Sequence, residues 1–201
     1  MLSHRFRMEW QKTGFIVIPV FILALLIRCI YLNQIISTPL LQGLAVDSNQ
    51  FDFLALQILD KNFAHENFIF MHALYPFFLA SIYFIFGHSP IPVVFIQGIL
   101  DSINCLLLYF IAYTIFDKKT GIFAAFLYAI YGLAIFYSGA LLSTTIEIFL
   151  CLLFISSLLV GEKKNILLYF LFPGLFLVWP FWPDPIYCYF SFFSLFGFSN
   201  P

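Results

Sequence analysis

Asp47 holds a distinctive place in this chain. The segment GLAVDSNQFDFLALQILDKNF sets it after a glycine-containing turn and directly ahead of a stretch with Phe51, Leu54, Ala55 and Ile58 on one helical face. With Gln50 three residues on, Asp47 fits a capping box, in which each side chain satisfies the other residue's backbone amide. A carboxylate held at the boundary between water and lipid can also take a proton from an incoming hydroxyl or amine, provided a second substrate brings a leaving group such as phosphate. The two roles are compatible, because a cap fixes the carboxylate that would act. Asp52 and Asp60 lie at helical angles away from the Asp47 side, so they are expected to be solvated, and no close carboxylate pair is predicted.

Other chemistries find little support. Cys29, Cys105, Cys151 and Cys188 are far apart in apolar runs, without a CxxC pair or a histidine at ligand spacing, and read as small buried hydrophobes. No metal is implied, and no glycine-rich loop offers a nucleotide or cofactor site. The nine Lys and Arg are scattered in ones and twos against ten acids, so there is no basic face for a phosphate backbone, which excludes nucleic acid as a partner.

The elements that must position Asp47 follow from composition. Of 201 residues, 63% are hydrophobic, 21% aromatic and only 9% charged. That is too few polar groups to cover a water-facing surface, so the chain is an integral membrane protein. The fold class expected is all-α, a polytopic bundle of four or five spans. Four runs can cross a hydrocarbon core that takes about 20 apolar residues, at 14–32, 92–116, 121–138 and 141–160. A fifth, 166–182, is interrupted by Pro173 and Pro180. The first run is too long for a cleaved leader and lacks a small-x-small site, so it reads as a retained anchor behind a short cytoplasmic N-terminus, 1–13.

The apolar stretch 69–87 decides the topology. If it crosses, Lys118–Lys119 and Lys163–Lys164 face away from the basic N-terminus with its Arg5, Arg7 and Lys12; if it lies on the outer face, all three clusters are cytoplasmic, as lysine and arginine near span ends prefer. The second arrangement is expected, with juxtamembrane helices in a long external loop, 33–91. That loop holds Asp47, Asp52, Asp60 and Glu66 against Lys61, with His65, His72 and His88, and so most of the aqueous chemistry.

Polar residues also fall inside the spans. Gln97, Asp101 and Asn104 share one stripe of the second span, which must face other helices; it either bonds between helices or lines a polar cavity. Arg28, near the outer end of the first span, can snorkel to headgroups or reach a donor phosphate. Glu147 lies in the run 141–160, where a carboxylate needs a cavity or a partner; a functional role and a packing role are both open.

The order of these pieces carries a resemblance. VDSNQFDFLALQI, then HALYPFFLASIYFIFG, then FIQGILDSINCLLLYFIAYTIFDKKTGIFAAFLYAIYGLAIFYSGALLSTTIEIFL is similar to the N-terminal third of glycosyltransferase family 39, the dolichyl-phosphate-mannose protein mannosyltransferase-like membrane enzymes of GT-C fold. The similarity runs from about Arg28 to Leu159. It implies that Asp47 is the first-loop catalytic aspartate, a general base on the acceptor. Phe51 stands where the family has an aromatic, commonly tyrosine. Leu74, Tyr75 and Pro76 match a juxtamembrane helix bordering a lipid-linked donor. Ahead of them, His72 occupies the place of a cationic phosphate contact, or is a neutral interfacial histidine. The residues expected to border substrate are thus Arg28, Phe51, His72, Tyr75, Gln97 and Glu147. The partners implied are a polyprenyl-phosphate sugar and a protein or lipid acceptor, in a bacterial inner membrane.

From Leu171 onward the chain turns aromatic and proline-rich, without helical periodicity. Relatives continue there with a Gly-Leu-rich span and an arginine-proline step, so 183–201 reads as an aberrant tail of the kind a shifted reading frame would leave. On that reading the bundle is truncated and inactive alone. The competing class is a non-enzymatic membrane subunit or transporter fragment, although no internal repeat of the transporter kind is present.

Overall fold

The structure, a computed structural model, describes residues 2–36, Thr38, 46–60 and 74–164. Among these residues seven helices follow one another: α1 (Leu2–Ile36), α2 (Val46–Leu59), α3 (Leu74–Phe86), α4 (Pro90–Ile115), α5 (Lys118–Ala129), α6 (Gly132–Ser138) and α7 (Thr144–Lys164). Among the described residues there is no strand. The expected segment 166–182 and the aromatic tail lie outside the described residues, as does His72.

Helix α4 is the axis of the bundle, packed against α1, α5 and α7. Its start is set locally. Ser89 has extended backbone and accepts a hydrogen bond from the Ile91 amide, while Pro90 occupies the first helical position, where a missing N–H costs nothing. Just before it, Gly87 has φ +80°, which turns the chain from α3 toward α4. No atom lies within 4 Å of where a Gly87 side chain would project, so only the backbone resists substitution. A Gly87→Ala exchange is expected to cost about 1–2 kcal/mol, read as a lower thermal unfolding midpoint, with Asn tolerated better than Ala.

Among the described residues three helices contain apolar segments long enough to span a membrane: Val17–Ile36, Pro90–Ile115 and Thr144–Gly161. Along α1 the usual soluble pattern is inverted. Ile18, Ile22, Leu26 and Ile30 form an exposed apolar stripe, and the buried face carries Val17, Ala24, Arg28, Leu32 and Ile35. Such a helix is apolar toward lipid and keeps its polar group for other helices. The run 121–138, one continuous apolar segment in sequence, is two helices in the structure, α5 and α6, bent by 54° around Ile130 and Tyr131. Small residues let the helices approach: Ala24, Cys105 and Ala129 are fully buried together, and Gly121 abuts Tyr109 so closely that a side-chain carbon there would come within 3.1 Å of the Tyr109 carbonyl oxygen.

Asp117 caps α5. Its carboxylate accepts from the Thr120 amide at 2.9 Å and from the Thr120 hydroxyl, and these bonds hold its pKa below the ordinary carboxylate value. A depressed folded pKa means that the cap is intact at neutral pH and is lost as pH falls through that lowered value. The Thr120 amide is therefore expected to lose protection from hydrogen exchange only in acid, below the ordinary carboxylate range, and Asp117→Ala to lose it at every pH.

Helices α2 and α3 pack on each other. Phe51 and Ala55 of α2 meet Tyr75, Leu79, Ala80, Ile82 and Tyr83 of α3 in one apolar cluster with Leu32 and Ile35 of α1 and Val93 and Val94 of α4. α3 is 13 residues long, about 20 Å at 1.5 Å per residue, against about 30 Å of hydrocarbon.

Candidate active site

Three of the residues singled out in sequence come together where α2, α3 and α4 meet. Phe51 is buried and sets its ring edge on Tyr75, with centroids 4.8 Å apart. The Tyr75 hydroxyl, 1% exposed as a residue, donates to Gln97 Oε1 at 2.9 Å. Gln97 Nε2 in turn donates to the Ala140 carbonyl at 2.9 Å, in the turn between α6 and α7. A phenol and an amide buried in apolar surroundings need such partners, and here the chain of bonds ties the loop helices to the spans.

Asp47 is exposed, and α2 begins at Val46. Asp47 thus stands inside the first turn and not ahead of the helix as the capping box requires, at a place where the positive end of the helix favours a carboxylate. Glu147 similarly falls in the first turn of α7, partly buried, because α7 starts at Thr144. It is thus near a helix end instead of deep in a span.

A second polar centre lies deeper. Arg28 is fully buried. Its Nε donates to Asp101 Oδ2 at 2.7 Å, and Nη1 donates to the carbonyls of Ala24 at 3.1 Å and Ala129 at 3.2 Å. Nη2 also lies 2.6 Å from Asp101 Oδ2, at an angle unsuited to a hydrogen bond, so that contact is ionic. The Tyr128 hydroxyl donates to Asp101 Oδ1 at 2.6 Å, and Asn104 Nδ2 approaches the same oxygen at 3.3 Å. Arg28 therefore does not extend to the headgroups. A guanidinium in low dielectric keeps the nearest carboxylate, and the stripe on α4 supplies it. Ala129 is the last residue of α5, so Arg28 satisfies a carbonyl that the break before α6 leaves without a helical partner.

Asp52, expected to be solvated, is engaged. Its side chain is 14% exposed; Tyr83 donates to Oδ1 at 2.6 Å, and His88 Nε2 lies 3.0 and 3.1 Å from the two carboxylate oxygens. Burial, with the bond to Asp52, pushes the Tyr83 hydroxyl well above the usual phenol range. Sequence reasoning passed over Tyr83 and Tyr128 and named His88 only as one histidine of the external loop. Tyrosine within an apolar helix is a signal, since a buried hydroxyl requires a partner, but it does not name one.

An apolar cleft of about 380 Å³ opens between α3, α4 and α7, lined by Leu74, Phe77, Phe78, Leu100, Ile146 and Phe149 among others. Ser81 also lines it, with its hydroxyl turned to the Phe77 carbonyl. Among the described residues no group of three or more His, Cys, Asp and Glu side chains could hold a metal.

No curated protein and no solved structure matches the chain. A family model does, that of dolichyl-phosphate-mannose-protein mannosyltransferase, over residues 72–181. Tyr75, Gln97 and Glu147 fall within the matched region, and Arg28, Asp47 and Phe51 precede it. With an all-helical bundle, helices apolar enough to cross a membrane and more than half of its length matched, the chain belongs to the dolichyl-phosphate-mannose-protein mannosyltransferase family, membrane glycosyltransferases of GT-C type.

Proposed function

We propose that this chain carries the acceptor-activating part of a glycosyltransferase that moves a sugar from a polyprenyl-phosphate donor to an external hydroxyl or amine. Asp47 takes the acceptor proton; the freed lone pair attacks the anomeric carbon; the bond from that carbon to the phosphate oxygen breaks, and its electron pair leaves on polyprenyl phosphate. Attack from the face opposite the leaving group inverts the anomeric configuration.

The observation that carries this reading is the exposed carboxylate of Asp47 in the first turn of a helix docked on α3, within a chain of this family. Two features support it. The cleft beside α3 is lined almost wholly by hydrocarbon and suits a lipid tail better than a sugar. The bonds from Tyr75 to Gln97 to Ala140 hold α3 rigidly to the bundle, and a rigid support is what near-attack geometry requires. In this reading the N-terminus is cytoplasmic, and α2, α3 and the start of α4 lie on the external side.

The test is transfer of labelled sugar from a polyprenyl-phosphate donor in vesicles carrying this chain or, in parallel, a complete member of the family. The aspartate at the Asp47 place is intact or replaced by asparagine. Transfer that depends on the carboxylate supports the assignment; transfer unchanged by the exchange removes it.

A further inference from the structure

We propose that Asp52, Tyr83 and His88 form a pH-responsive latch that fastens α2 to the corner between α3 and α4. The three residues come from three places: the middle of α2, the last turn of α3 and the turn that Gly87 opens ahead of α4. A carboxylate only accepts, so His88 must donate through Nε2, and Tyr83 donates through its hydroxyl. The His88 ring stands edge to face on Tyr83, with centroids 4.9 Å apart, which holds the imidazole in reach of the carboxylate.

The charges around this cluster make the dependence one-sided. Asp47 in the first turn of α2 and Asp60 just after its end are exposed and acidic. On α3 the other titratable group is Tyr75, bonded to Gln97. At the outer end of α1 there is Tyr31, and α7 opens with Glu147. Arg28 is committed to Asp101. No lysine or arginine occurs among the described residues of α2, α3 or the first turns of α4, so His88, 52% exposed, is the group there that can become a cation. Protonation puts a charge on the donor and makes the contact with the carboxylate an ion pair; deprotonation leaves a neutral imidazole N–H donating to the carboxylate. The latch is therefore tighter with the imidazole protonated than with it neutral.

The consequence is mechanical. Asp52 is a polar tie between the middle of α2 and the corner between α3 and α4. The inference goes beyond sugar transfer, since its readout is the motion of α2 and holds whatever Asp47 does. The experiment places a nitroxide on a cysteine at the exposed position Gln50, in the full chain in lipid nanodiscs with its own four cysteines replaced by alanine, and records probe mobility between about pH 5.5 and pH 8. The mobile fraction is expected to rise about two- to fivefold toward high pH, the scale of a half-exposed ion pair. His88→Gln, which keeps a donor for Asp52, is expected to abolish the pH dependence while the helix stays docked. Tyr83→Phe is expected to raise mobility at both ends of the range and keep the dependence. A wild-type spectrum that does not change with pH, or a dependence that survives His88→Gln, overturns the latch.

Discussion

Replacing Arg28 by leucine is expected to destabilise the bundle by about 3–5 kcal/mol, read as a lower unfolding midpoint in detergent or lipid. The guanidinium and the Asp101 carboxylate are 0% and 1% exposed, so removing one partner strands the other's charge where water cannot reach it. Asp101→Leu should cost a similar amount. The double exchange Arg28→Leu with Asp101→Leu should cost markedly less than the sum, because neither charge is then left alone. Equal and additive losses would show that packing volume, and not the ion pair, sets the cost. Arg28→Lys is not a conservative change here: an ammonium cannot bond Asp101 and the Ala129 carbonyl through a planar fork. It is expected to loosen the break between α5 and α6 even where the charge is retained.

The larger effect on activity belongs to Asp47. In the proposed mechanism Asp47→Asn removes the proton acceptor and leaves the shape of the side chain, so transfer should fall by about 10²–10⁴-fold, the usual contribution of a positioned general base. The loss should appear in the rate at saturating donor more than in donor binding, since the carboxylate acts on the acceptor. Stability should change little, because Asp47 is exposed and its structural role is confined to a favourable place at the start of α2. Unchanged helix content with collapsed transfer separates a chemical role from a structural one. Lost helix content would instead make Asp47 a determinant of the fold.

Gln97 illustrates how a local stripe and a distant partner divide the information. Its spacing from Asp101 and Asn104 puts all three on one side of a helix, and that side had to face other helices because lipid offers no hydrogen bonds. The structure buries all three. Their partners were not legible. Asp101 meets Arg28 from 73 residues away and Tyr128 from 27, and no local pattern encodes a contact made only after helices cross. Asp52 shows the same limit in reverse. Read alone on α2 it belongs in water, and it is taken up by Tyr83 and His88, which lie 31 and 36 residues later.

Hydropathy is a local sum, and for that reason helices, membrane residence and the inward faces could be read from residues in order. The bend within 121–138 could not, since Ile130 and Tyr131 are as apolar as their neighbours and Gly132 is a weak signal in a membrane helix. Packing decided it: Arg28, reaching across from α1, gives the terminal Ala129 carbonyl of α5 the donor that a continuous helix would have supplied from its own next turn. Composition committed this chain to the bilayer and to helices. Which buried charge meets which, and where a helix is allowed to break, depended on three-dimensional proximity, because those bonds join residues that sequence keeps far apart.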